Sequence, residues 1–185
     1  HTKASSPDHP ATYTNKEIHG DCGVGGTPWS VKNDENIAEG DMTLANATAE
    51  SINTAFVGLA IQIGGDPCKI RETEWRMGLH QTNGQKIPPY PAAIILGATS
   101  VSPMTVASAY QTLANDGVYC PPTPIISVVK NGKPLPVPAL GSACERRVDA
   151  DVARGVTSLL KGVLGPKGNS RNSALAGGRP AAGKS

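Results

Sequence analysis

With 21 Gly and 16 Pro spread along 185 residues, this chain can hold only short helices and strands separated by turns. Aromatic residues make up 4% of it, so a core must be assembled from Ala, Val, Leu and Ile. The hydrophobic fraction of 38% is lean but sufficient for one domain or a large part of one. Net charge is +2 with acids and bases interspersed, which gives no basic stripe for nucleic acid. No apolar run approaches the length that crosses a bilayer.

Residues 1 to about 40 are polar, without helical period, and read as extended or irregular, with Trp29 as their anchor to the main body. Thr43 is a fair N-cap for a helix-forming run, and Ile52, Phe56, Leu59 and Ile63 continue it on one helical face up to Gly64-Gly65. Asp66-Pro67 restarts a helix that runs to Met77. Leu79 to Ala93, with Asn83-Gly84 and Pro88-Pro89, reads as loop. Ser102-Pro103 opens another helix, stopped at Gly117. Ile125 to Val129 is a β-branched run leading into Asn131-Gly132, a strong hairpin turn, and the prolines beyond demote the return strand to an edge. A last helix is expected from about Asp149 to Leu164, with Val152, Val156, Leu159 and Val163 on its apolar face. An extended segment then begins near Arg179. Helices, hairpin, helix and strand in that order predict an α+β fold with an antiparallel sheet.

Four cysteines occur, none in a C-x-x-C pair, and the four histidines show no ligand spacing with them, so a zinc site is not expected. An even count at scattered positions suits disulfides in a secreted protein, or unrelated free thiols. Cys120 and Cys144 flank the hairpin and can meet across its base, which favours that pair over Cys22–Cys68. The chain starts at His1 rather than Met and stops at Ser185 inside a motif, so both ends read as cut.

Gly178 to Ser185 reads G-R-P-A-A-G-K-S, a full match to the P-loop pattern. A P-loop needs a buried strand before it and a helix after it, to aim backbone N–H groups at phosphate. Ser173-Ala174-Leu175-Ala176-Gly177 make no hydrophobic strand, and the pattern closes the chain where P-loops tend to open a domain. A nucleotide site is therefore not expected.

Lys184-Ser185 belongs to another reading. Serine acyl-transfer enzymes use S-x-x-K, S-x-N and K-[ST]-G elements. Ser51-Ile52-Asn53 fits the second and Lys184-Ser185 begins the third. By itself S-x-N is nearly uninformative: Ser51 and Asn53 equally suit helix caps, and Lys184 a solvated terminal lysine. The longer text is more specific. Glu50-Ser51-Ile52-Asn53-Thr54-Ala55-Phe56-Val57 resembles the S-x-N segment of class A (bifunctional) penicillin-binding proteins. Leu96-Gly97-Ala98, Val101-Ser102-Pro103-Met104 and Leu113-Ala114-Asn115-Asp116-Gly117 look like the helix that follows in that family, and Gly178 to Lys184 is similar to its approach to K-T-G. Order and spacing agree from about Trp29 onward. The nucleophile-bearing S-x-x-K is not found in the right place.

The resemblance implies part of a penicillin-binding/β-lactamase-like transpeptidase fold, without its N-terminal part and final strands. It divides the chain into a loop-rich segment, 1–40, and a partial transpeptidase domain, 41–185. It implies a D,D-transpeptidase acting on stem peptides ending in D-Ala-D-Ala and inhibited by β-lactams, with no cofactor and no nucleic acid. Ser51 would bridge the first-motif lysine and Lys184 and relay a proton to the leaving amine. Asn53 would hold the stem-peptide backbone and that same lysine. Lys184 and Ser185 would bind the terminal carboxylate. The location would be extracytoplasmic, on the cell-wall side of the plasma membrane, with an anchoring helix upstream and another segment or chain completing the domain. Alone, the chain is expected to be inactive. The alternatives are a catalytically silent module that binds wall peptides and, least expected, a P-loop NTPase.

Overall fold

A computed structural model describes residues 1–4, 11–13, 18–19, 22, 28–34, 39–123, 125, 127–136 and 143–184. The chain divides into two compact units. The first takes in His1–Thr73, Ile87–Thr99 and Gly155–Ser185, and the second Glu74–Lys86 and Ser100–Arg154.

In the first unit, β1 (Thr2–Ala4) pairs antiparallel with β4 (Gly40–Met42), and β2 (Ala11–Tyr13) with β3 (Trp29–Val31). Two helices follow, α1 (Leu44–Glu50) and α2 (Asn53–Gln62). The expected N-cap at Thr43 is present, its hydroxyl accepting from the Asn46 amide at 3.1 Å. The expected single helix through Ile63 is not. It breaks at Ser51, which adopts a left-handed φ of 61°, and Ile52, which is extended.

The buried face of α2 also differs from the expected one. Thr54, Ala55, Val57 and Ala60 are buried, whereas Phe56 and Leu59 are partly exposed and Ile63 is 59% exposed. Small side chains face inward because β1 packs close against α2. The core here is a cluster of Ile18, Val31, Val57 and Ala60, against which Trp29 packs as an anchor. A smaller cluster joins Ala47, Ile52 and Ala55.

Helix α3 (Pro67–Arg76) starts where Asp66 accepts from the Cys68 amide at 2.9 Å, as the Asp-Pro pair predicts. The loop expected to reach Ala93 ends earlier. Pro91, at the first helical position, opens the short α4 (Pro91–Leu96), which Gly97 closes with a positive φ. The Cys22–Cys68 disulfide ties the N-terminal segment to the start of α3.

In the second unit, Ser102 caps α5 (Pro103–Ala114) by accepting from the Thr105 amide. Its end is set by Gly117, whose φ is +84° and where a Cβ would meet the Val148 carbonyl oxygen at 2.0 Å. The strand β5 (Val118–Tyr119) pairs with β8 (Glu145–Arg146). Between them β6 (Val128–Lys130) and β7 (Lys133–Leu135) form the hairpin on Asn131-Gly132, both turn residues having positive φ. Cys120 and Cys144 are joined, closing the segment that carries this hairpin. Asp116 holds Arg154 through two hydrogen bonds of 3.0 and 2.8 Å, and that guanidinium keeps the Asp116 carboxyl below its ordinary range.

Helix α6 runs over Ala150–Val163. Of its expected apolar face Val163 is buried, Val156 and Leu159 are half-buried, and Val152 is 55% exposed. The antiparallel pairs among helices make the fold α+β, and all the strand pairing among the described residues is in two-stranded units. Among the described residues no helix is long and apolar enough to cross a membrane.

The Cys22–Cys68 bridge closes a loop with a sequence separation of 46 residues, so it restricts the unfolded chain strongly. The double substitution Cys22→Ala/Cys68→Ala is expected to lower unfolding free energy by about 2–5 kcal/mol in urea titrations. A loss near zero contradicts the pairing.

Candidate active site

Ser51 owes its position to the break between two helices. It ends α1, with its amide donating to Thr48 O at 3.3 Å, while the Ile52 amide reaches back to Ala47 O at 3.0 Å. A non-glycine residue in this conformation costs about 1–2 kcal/mol. The burial of Ile52, fully enclosed, holds it there. The segment after α6 also closes on this corner. Asn169 N donates to Ala49 O at 2.9 Å, and Gly168 is needed because a Cβ there would meet Val163 O at 2.0 Å.

Lys184 arrives from the opposite end of the sequence, 133 residues away, and its Nζ donates a hydrogen bond to Ser51 Oγ. The Gly183 amide bonds Leu160 O at 3.3 Å and fixes the lysine's approach against α6. Residues 179–184 form no regular strand, and a 3-10 turn at Ala176–Gly178 precedes them. That turn stands where a P-loop would need a buried strand, and the lysine of the pattern is engaged with Ser51. Asn53 opens α2 and its Nδ2 donates to Lys32 O at 3.1 Å. Ser185 lies outside the described residues.

Ser51, Asn53 and Lys184 share the lining of a cavity of about 490 Å³. Its other walls are apolar except for Thr48, with Leu44, Phe56 and Leu59 on one side and Val156, Leu159 and Leu160 of α6 among the rest. The large residues that α2 does not bury therefore have a place. Burial among these groups pushes the Lys184 ammonium below its ordinary pKa, because the charged form loses hydration. Ser51 and Asn53 also line a polar groove of about 550 Å³ with Lys32, Asn33, Asp34, Glu50 and Asn169. The serine thus stands on a ridge between an apolar and a polar recess. The chain's two Ser-x-x-Lys strings, Ser127 to Lys130 and Ser158 to Lys161, have their serine and lysine exposed, and neither lines the cavity or the groove.

The family described as the penicillin binding protein transpeptidase domain matches residues 7–185. The chain belongs to this family. It is 31% identical over 156 residues to penicillin-binding protein 1A of Mycolicibacterium smegmatis, covering 78% of this chain and 19% of that one. Penicillin-binding protein 1A of Aquifex aeolicus is 34% identical over 71% of the chain and 18% of its own length. The chain thus spans about a fifth of these curated relatives. The solved structure of penicillin-binding protein PonA1 from Mycobacterium tuberculosis superposes with a TM-score of 0.70 at 28% identity, over 84% of this chain and 42% of that one. Penicillin binding protein 3 of the same organism, complexed with aztreonam, shares the fold at a TM-score of 0.62 and 22% identity, over 93% of this chain and 41% of that one. The class A assignment made on the segments around Ser51 and Lys184 stands.

Sequence reasoning singled out Ser51, Asn53 and Lys184, and these come together. It missed Lys32 and Asn33, whose backbone and side chain hold the start of α2. The one signal for them was an apolar Ile52 where a helix N-cap is needed, which asks for a cap from elsewhere.

A lysine whose pKa is lower folded than unfolded penalises folding while both states are charged, and the penalty disappears once both are neutral. Stability of the chain relative to Lys184→Met should therefore rise with pH, from the lowered pKa up to the ordinary lysine value of about 10.4. Denaturant titrations of both proteins at pH 7 and pH 10 measure this. A constant difference contradicts the burial of the charge.

Proposed function

We propose that this chain is part of a serine D,D-transpeptidase that cross-links peptidoglycan stem peptides ending in D-Ala-D-Ala and is acylated by β-lactams. The nucleophilic serine is supplied by a segment outside these 185 residues. The observation that carries the reading is the Lys184 ammonium on the Ser51 hydroxyl, in a transpeptidase-family chain and beside a largely apolar cavity.

In this reaction the serine oxygen attacks the carbonyl between the two D-alanines, the C–N bond breaks, and the departing amine takes up a proton. The nucleophile's own proton passes to the lysine of its motif. Ser51 gives its proton to the departing amine and takes one from that lysine in return, with the Lys184 ammonium holding the hydroxyl in place. An acceptor amine then attacks the acyl-enzyme and passes its own proton back through the same hydroxyl. The Asn53 carboxamide holds the stem-peptide backbone and the lysine of the nucleophile's motif. Lys184 and Ser185 engage the terminal carboxylate, the first by charge and the second by a hydroxyl hydrogen bond. The cavity beside Ser51 is completed by another segment of the same protein. The whole protein works outside the cytoplasm on the cell-wall side of the plasma membrane, anchored by a helix that precedes this chain.

A fluorescent penicillin should label the parent protein covalently and leave the isolated chain unlabelled. Ser51→Ala and Lys184→Ala in the parent should each slow acylation by roughly 100-fold or more. A folded parent that takes no label sinks the transpeptidase reading and favours a silent wall-peptide module. Acylation of both variants at the parent's rate sinks the assignment of the two residues.

A further inference from the structure

Helix α2 begins without a cap of its own. Its N-cap residue, Ile52, is fully buried and offers no side-chain acceptor. The first amides of a helix have no partner within it, and leaving one buried and unpaired is costly. Here the partner comes from 21 residues upstream: Asn33 Oδ1 accepts from the Thr54 amide at 3.0 Å. The same carboxamide holds the Thr54 hydroxyl, with Nδ2 donating to Oγ1 at 2.8 Å and Oδ1 accepting from it at 3.0 Å. Asn33 is 5% and Thr54 1% exposed, so these bonds form away from water, where they are strongest. The preceding residue, Lys32, receives the Asn53 side chain on its carbonyl.

We infer that Asn33 is a positioning residue for the Ser51–Asn53 elbow, capping α2 in place of Ile52 and thereby fixing Ser51 against Lys184. The physical reason is a conflict at one position. Ile52 must be apolar to fill the core beneath the elbow, yet the helix behind it needs a polar cap. Supplying the cap from Asn33 satisfies both. It also pins the C-terminal side of Ser51, whose left-handed backbone persists only where both flanks are held. The α1 side is held by the Ala47 and Thr48 carbonyls and the α2 side by Asn33. The functional meaning rests on the transpeptidase reading above, but the structural effect does not.

Nuclear magnetic resonance of the isotope-labelled 185-residue chain tests this without any catalysis. In Asn33→Ala, Thr54 amide exchange should quicken by on the order of tenfold. The positive-φ chemical-shift signature of Ser51 should weaken, and the Lys184 titration midpoint should move up toward the ordinary lysine value as its site opens to water. Asn33→Asp, which keeps the acceptor and adds a favourable charge at the helix start, should restore the Ser51 and Thr54 signals. Ile87→Val, a core truncation elsewhere in the same unit, should lower stability and move none of the three. If Asn33→Ala destabilises the chain yet leaves Ser51 and Lys184 unchanged, as Ile87→Val does, Asn33 is only structural and the inference is overturned. Should Asn33→Ala fail to fold, Asn33→Ser, whose shorter side chain keeps a hydroxyl but reaches the Thr54 amide less well, replaces it. It should move the same signals less far, and no movement again overturns the inference. These outcomes hold whether or not the parent reacts with penicillin, so failure here is distinct from failure of the proposed activity.

Discussion

The burial of Ile52 is the constraint on which the site depends. A continuous helix through residues 44–62 would leave no corner at Ser51. Instead Ile52 turns into the small cluster with Ala47 and Ala55 and takes an extended backbone, and Ser51 absorbs the change of direction in a left-handed conformation. The cost of that conformation is offset by the core contact and by the hydrogen bonds that α1 provides to the turning amides. The result is a serine standing out between two helices rather than lying along the flank of one.

Two remote pieces of chain complete the arrangement from opposite sides. Asn33 and Lys32 come from the stretch after β3 and hold the first residues of α2. Lys184 comes from the stretch after α6 and meets the serine oxygen. The cavity follows from the same geometry. With small and hydroxyl side chains turned inward along α2, its larger Phe56 and Leu59 are left to line the space beside Ser51, together with α6. A lysine end placed there loses water and holds its proton less tightly.

Much of the local structure was legible in the sequence because it is written in short-range chemistry. Thr43, Asp66 and Ser102 cap helices through their own side chains, and Asn131-Gly132 supplies the two positive φ angles a tight hairpin requires. What escaped depends on distant partners. The break at Ser51 has no glycine or proline to announce it, and the apolar period runs straight through it. The start of α4 is hidden because Pro91 follows a pair of prolines that read as loop. The inward face of α2 was misjudged since size, usually a guide to burial, here follows the close approach of β1 rather than hydrophobicity. Of the site, Ser51, Asn53 and Lys184 were found through the family resemblance of the text around them. Spacing alone could not have joined residues 133 positions apart. Asn33 carried no motif at all.

Everything in this arrangement turns on Lys184 resting on Ser51. The most direct measurement is the nuclear Overhauser contact between the Lys184 ε-methylene and the Ser51 β-methylene protons in the labelled chain at neutral pH. A clear cross-peak, absent from Ser51→Gly, is expected together with restricted motion of the lysine side chain. A freely rotating Lys184 with no contact to Ser51, in a chain otherwise folded as described, would contradict this arrangement.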